Sequence, residues 1–410
     1  MDSALIPEGV KRCSFKKFAI WIGVLTIPTL WGIYAALLCW GKALNQTNLN
    51  DNFPFGFWIV ADLGVIALGA GAFFTGFLRY ILKIEELKNI VNFAVVIGVI
   101  CYASALGILG IDVGQPLRGW FIFWHANVHS MLTEVAFCIT CYFMVLCIEY
   151  VPLVLENRRI DAYRFFHFLS HRFHQAMPAI AAIGVFLSFF HQGSLGGVPG
   201  VLYGRPFAYR SGFLVWPWTF FLFILSAIAC GPCFTLLITW ITEKITRKQL
   251  VKKSVKETLA KIAGWLLASY IVLKIIDTIY WASSTAPRVG INFKSFYANQ
   301  PYGIWVLITE VGILGIIPAI ILITKQGRSN SALLILASFL NCAGIFMNRW
   351  IMTVQTLAVP VMPFDKFASY HPNWQEWATT LLPVWIGAMV ISLSYRYLPI
   401  FPQERELNPA

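Results

Sequence analysis

The chain has 410 residues, of which 58% are hydrophobic and only 12% charged, with a mean hydropathy of +0.69. Such values exclude an ordinary water-soluble enzyme or binding module. The net charge of +12 does not point to nucleic acid, because the basic residues fall in short connections between apolar stretches.

Ten apolar stretches of roughly 20 residues follow one another, each long enough for a helix to cross ~30 Å of hydrocarbon. They are read at 18–40, 56–79, 89–110, 127–153, 174–192, 214–241, 258–282, 302–324, 331–357 and 376–398. The expected fold is an all-α polytopic membrane protein, a single integral membrane domain over 1–410. The first span follows Lys11, Arg12, Lys16 and Lys17. It is too long for a signal-peptide core and no small-residue cleavage site follows, so it is expected to be retained. Loops on the side of the N-terminus carry 21 Lys and Arg, and those on the opposite side carry 7. The positive-inside rule then places both termini in the cytoplasm.

Charge inside the spans is the next signal. The second span carries Asp62, the third ends at Asp112, and His125 and His129 precede Glu134 at the start of the fourth. The two histidines are four residues apart, on one helical face if the helix has begun. Glu134 is expected about nine residues into its span, roughly 13 Å deep at ~1.5 Å per residue. His191 closes the fifth span. The seventh holds Lys274 and Asp277, the eighth Glu310 and the ninth Arg349. Followed through helices of alternating direction, these groups gather in the outer half of the bilayer. Ionisable residues there are costly and mark substrate, ion or proton sites. The plainer alternative is that they are ion pairs fixing helix register.

Other motifs have quieter readings. Cys230-Gly-Pro-Cys233 has thioredoxin-like letters, but it lies within an apolar run, so Pro232 is expected to kink a helix. The nine cysteines read as small core residues. Gly69-Ala-Gly71 reads as close helix packing. The stretch 244–261 reads as a basic amphipathic helix on the anionic inner leaflet. The long outer loops near 193–213, 283–300 and 358–374 are suited to docking. No haem-attachment motif, cluster-type cysteine series, P-loop or dinucleotide fingerprint occurs, and no metal site is expected. A bis-histidine haem held by His129 and His191 is conceivable but disfavoured, since His167, His171 and His174 cluster beside one inner loop with no partner on another span.

Thr133-Glu134-Val135 and Thr309-Glu310-Val311 suggest an internal repeat. The spans of 56–192 and 214–357 would then form two four-helix bundles of parallel orientation, flanked by the first and last spans.

Several segments resemble a known family. They are Asn52-Phe-Pro-Phe-Gly-Phe-Trp58 leading to Asp62, the turn Ile111-Asp-Val-Gly-Gln-Pro-Leu117, and His125 followed by Ser130-Met-Leu-Thr-Glu134. Glu149-Tyr-Val-Pro152 with Glu156, His191-Gln-Gly-Ser-Leu-Gly196 and Asn348-Arg349 complete the set. Together, over nearly the whole chain, they resemble the NrfD/PsrC-type quinone-interacting membrane subunits. The match is nearest to the ten-span branch with HybB and the membrane subunits of Hmc, Dsr and Qrc complexes, Qrc being a menaquinone reductase.

The resemblance implies a haem-free subunit, without an iron–sulfur cluster, that binds menaquinone near the periplasmic face of the bacterial inner membrane. Electrons would be exchanged with a periplasmic iron–sulfur subunit in a respiratory complex holding multihaem cytochrome c, molybdopterin-like or hydrogenase subunits. His125 would contact the quinone head, with Asp62, Asp112 and Glu134 handling protons and His129 and His191 in the same quinone-binding group. Lys274, Asp277, Glu310 and Arg349 match acid or base positions of the second bundle, for proton transfer or ion pairing. Lys274 and Asp277 stand where relatives carry Arg and Glu. The rival readings are a secondary transporter using the same charges and a structural anchor for periplasmic subunits.

Overall fold

The computed structural model describes residues 5–202, 205, 207–210, 212, 213, 216–292, 294, 297, 298, 303–360 and 366–408. Ten of its helices are long and apolar enough to cross a membrane. They are α1 (Phe15–Gly41), α2 (Phe57–Ile81), α3 (Glu85–Asp112), α4 (Met131–Leu155), α5 (Arg164–Gly200), α6 (Trp218–Thr246), α7 (Lys253–Arg288), α8 (Trp305–Ile323), α9 (Ser331–Gln355) and α10 (Trp374–Tyr397). The protein is an integral membrane protein. Its outward side chains are apolar, as at Ile20, Ile27 and Ile320, while Asp62, Lys274, Asp277, Glu310 and Arg349 are buried within the helix assembly. That is the arrangement a hydrocarbon solvent requires.

α2, α3, α4 and α5 touch in a closed ring, and α6, α7, α8 and α9 touch in another. The rings meet where α2 crosses α6. A methyl group built on Gly231 would lie 2.1 Å from the Gly71 nitrogen, so only glycines allow this backbone contact. Pro232 is accommodated inside a continuous helix, with Cys230 and Cys233 buried at the same crossing. α1 and α10 pack on each other and on α3.

The two chain ends are bound together on one side, called here the terminal side. Arg12 forms an ion pair with Glu404, and Lys248 reaches the same carboxylate at 3.0 Å. The Asn157 side chain donates to the Leu5 and Tyr397 carbonyls. On the far side, α10 begins with a capping box between Asn373 and Glu376, and the Asn48 side chain donates to the His371 carbonyl at 2.8 Å.

The Glu404 cluster gives a pH test. Burial by itself would raise this carboxyl, but Arg12 and Lys248 outweigh it and hold it below the usual glutamate range. A depressed carboxyl contributes stability above its unfolded-state value and loses it as pH falls through the folded value. The melting temperature of the wild type is therefore expected to exceed that of Glu404→Gln near neutral pH, with the gap closing as acidification takes the pH below the usual glutamate range. A gap of constant size over that range would refute the ion-pair account.

Four expectations are corrected. α4 begins at Met131 rather than 127, because the Asn127 side chain accepts from the His129 amide at 3.0 Å and forms a local turn. His125 and His129 therefore precede the helix and do not share a helical face. Glu134 lies in the first turn of α4, well short of the expected depth. α5 is longer at both ends than 174–192, taking in His167 and His171 before it and Gly193–Gly200 after it. The expected surface helix over 244–261 does not form. Arg247 adopts a left-handed conformation (φ 55°) that ends α6, and α7 starts at Lys253. In the long loops, 203, 204, 206, 211, 293, 295, 296, 299, 300 and 361–365 lie outside the described residues.

Candidate functional site in the far half of the helix assembly

Two buried polar groups occupy the half of the assembly nearer the far side. The first lies in the α2–α5 ring. Asp62 sits in the second turn of α2, with its Oδ1 buried and lacking a hydrogen-bond partner among the described residues. It is within electrostatic reach of Asp112, the last residue of α3, whose own Oδ1 is also buried and unpartnered. Asp112 in turn feels Glu376 of α10. Glu376 accepts from the Asn48 and Asn373 amides at 3.1 and 2.9 Å and from the Tyr370 hydroxyl. Burial and this carboxylate together hold the Tyr370 phenol above its ordinary range. Three carboxyl groups thus lie in series on elements far apart in the chain.

Deeper in the same ring, His191 of α5 is 0% exposed, and neither ring nitrogen has a well-formed hydrogen bond among the described residues. Its ring lies 5.7 Å from that of Tyr102. The Tyr102 hydroxyl shares a hydrogen with Ser188 at 3.3 Å and accepts from the Gln192 amide at 3.4 Å. Tyr142 packs edge-on to Tyr102 at 4.6 Å and lies in the field of Glu149. Glu149 borders a small cavity of about 30 Å³ with Tyr80, Asn92 and His174, toward the terminal side. A sequence of titratable and hydroxyl groups therefore runs along this ring.

His125 and His129 are placed differently. Both are exposed on the 113–130 segment at the far surface, where the His125 ring stacks on Phe121 with centroids 5.3 Å apart. Glu134 is partly exposed. The same segment exposes Leu117, Trp124 and Val128 by 75–90%, an apolar patch beside the imidazoles.

The second group lies in the α6–α9 ring and is an ionic network. Lys274 meets Glu310 at 3.2 Å, and the Asn348 amide donates to the same Glu310 oxygen at 2.6 Å. Arg349, 1% exposed, donates to the Asn348 side-chain Oδ1 at 2.7 Å and to the Ser226 hydroxyl at 3.1 Å, and covers the Phe223 ring at 3.5 Å. Glu310 is presented by a π-helical stretch, Ile308–Ile316, of the kind often found at functional positions. Beside the network is a cavity of about 20 Å³ lined by Tyr270, Lys274, Glu310 and Asn341, room for about one water.

Asp277 does not join that network. Its carboxylate takes both oxygens to the Arg210 Nε at 3.0 Å, while Arg210 Nη1 caps the Phe207 and Tyr209 carbonyls. Arg210 is a loop residue and was not singled out from the sequence. Its only local hint was a cation, one of two with Arg205, in an apolar, glycine-rich connection. Glu376, Ser226, Tyr102 and Gln192 were missed for a related reason: single polar residues in apolar helices are commonplace until their neighbours are known.

The fold and these groups define a ten-helix integral membrane protein with an acid–imidazole core in one ring and an ion-pair network in the other. Residues 45–360 match the family model described as polysulphide reductase, NrfD. The chain belongs to the NrfD family. It is 54% identical over 409 residues to the menaquinone reductase integral membrane subunit of Nitratidesulfovibrio vulgaris, covering 100% of this chain and 98% of that protein. It is also 26% identical over 375 residues to the probable Ni/Fe-hydrogenase 2 b-type cytochrome subunit of Escherichia coli, covering 87% and 86% of the two. With a selenate reductase subunit of Mesobacillus selenatarsenatis it shares 20% identity over 428 residues, covering 95% and 96%.

Proposed function

We propose that this chain is the membrane subunit of a menaquinone reductase-type complex, taking up protons as quinone is reduced at the far side. The observation that carries this reading is the full-length 54% identity with a menaquinone reductase subunit. Sidedness follows from the excess of Lys and Arg in the terminal-side loops, which makes the far side periplasmic and the termini cytoplasmic in a bacterial inner membrane.

On this reading the α2–α5 ring is the quinone-handling unit and the α6–α9 ring its ionically locked counterpart. Menaquinone is the redox substrate. His125, His129 and Glu134 lie at the surface where a quinone head is met, and His191, Asp62 and Asp112 form the buried group that supplies or relays protons. An imidazole exchanges protons near neutral pH, and a carboxyl held in an apolar core is suited to the same task. The series Glu149, Tyr142, Tyr102 and His191 offers protons a route along the ring. Electrons come from an iron–sulfur subunit docked on the far face, for which the exposed Leu117, Trp124 and Val128 supply apolar contact. Among the described residues no group of three or more His, Cys, Asp or Glu is placed to hold a metal ion. No haem or iron–sulfur cluster is assigned to this chain on this reading, and a reduced b-type α-band in the isolated subunit would refute that part.

The functional test is quinone reduction by the purified complex carrying His125→Ala. Losing one hydrogen bond to the quinone is worth about 1–3 kcal/mol, so turnover is expected to fall about tenfold or more. Because His125 is exposed and contacts Phe121, assembly and melting temperature should not change. Wild-type turnover in this variant would remove His125 from the site.

A further inference from the structure

A recess of about 650 Å³ lies outside both polar groups. It opens between α1, α3, α6 and α10, with α2 and α9 at its floor, and its walls are apolar: Val65, Leu68, Ile97, Ile238, Val384 and Ile391. Its mouth on the terminal side holds Lys11, Arg12, Lys17, Lys248 and Arg396. Arg12 and Lys248 share Glu404, and Arg396 donates to the Cys13 carbonyl. Lys11 and Lys17 are exposed, and their ammonium groups have no ion-pair partner among the described residues. Along α10 the recess runs from Pro383 to Arg396, about 20 Å at ~1.5 Å per residue. That exceeds the ~15 Å of one leaflet's hydrocarbon.

Bulk lipid covers the outer face of any membrane helix, but this surface is concave and of the size of a ligand site. A hydrocarbon chain gains little by leaving the bilayer for a protein groove, because lipid tails are as apolar as the groove. Selectivity must therefore come from the mouth, where two of the five cations share the Glu404 carboxylate and Lys11 and Lys17 do not. We infer that the recess is a structural site for one acidic glycerophospholipid, its phosphate at Lys11 and Lys17 and an acyl chain between α1, α3, α6 and α10. The inference stands independently of the proposed quinone chemistry.

The test is lipid analysis of the intact complex after extensive washing in mild detergent. The wild type should retain about one acidic phospholipid per chain, enriched over its share of the membrane. Lys11→Gln combined with Lys17→Gln should lower that retention about fivefold for each cation removed. Ala388→Phe, which fills the recess and leaves every charge in place, should abolish it. A wild type that retains no phospholipid, or retains zwitterionic lipid in membrane proportion, would overturn the inference. So would unchanged retention in the lysine variant, or a quinone displaced by Ala388→Phe in place of a phospholipid.

Discussion

Glu310→Gln is expected to destabilise the protein by about 3–5 kcal/mol, the usual cost of removing one partner from a buried ion pair. The substituted amide can still accept from Asn348, so the loss isolates the charge. What remains is a Lys274 ammonium, buried in α7 and deprived of its carboxylate, with Arg349 one residue beyond Asn348. Thermal unfolding of the complex in detergent or nanodiscs should show a clear fall in melting temperature. Lys274→Met combined with Glu310→Leu should recover most of it, since removing both charges lifts the desolvation cost as well. Glu134→Gln, by contrast, should leave melting unchanged, because Glu134 is partly exposed in the first turn of α4. Equal melting of Glu310→Gln and wild type would show that the pair contributes no net stability. The matching Thr-Glu-Val settings of these two acids therefore conceal opposite environments.

Asp62→Asn is expected to do the reverse, lowering quinone turnover about 100-fold or more while leaving stability intact or raised. The carboxyl is 5% exposed, has an unpartnered oxygen and faces a second acid, Asp112. A charge so placed, beside a second acid, costs free energy in the folded state, and a neutral amide of the same shape removes that repulsion. The amide cannot take up and release a proton, and positioned acid–base groups contribute about 10²–10⁴ in rate. Stability and activity should therefore separate. Turnover like the wild type's, or lost turnover accompanied by a large drop in melting temperature, would assign Asp62 a structural role instead.

Much of the architecture could be read from the letters alone. Ten helices were legible because the apolar run needed to cross a bilayer is local and of fixed length, so hydropathy counts it directly. The presence of functional or ionic groups inside those runs was legible for the same reason: a charge in an apolar stretch is conspicuous on its own. The close packing at Gly71 was legible from small residues spaced along a helix, although its partner Gly231 was not.

Pairing was not legible, because it depends on helix rotation and on contacts between segments far apart in the chain. Asp277 is bound by Arg210, a loop residue 67 positions away, and the acid series of Asp62 and Asp112 ends on Glu376 of the last span. Hydropathy is nearly the same whichever way such helices turn. The start of α4 was set by one side chain, Asn127, whose turn excluded His125 and His129 from the helix and brought Glu134 toward the surface. Left-handed backbone at Arg247 likewise broke what reads as a continuous basic helix. Composition and spacing thus settle which segments enter the membrane and that they carry charge. Which charges meet, which stay unpartnered in the core and which reach the surface depends on packing, because only a folded chain brings distant polar groups within a few ångströms in a medium without water.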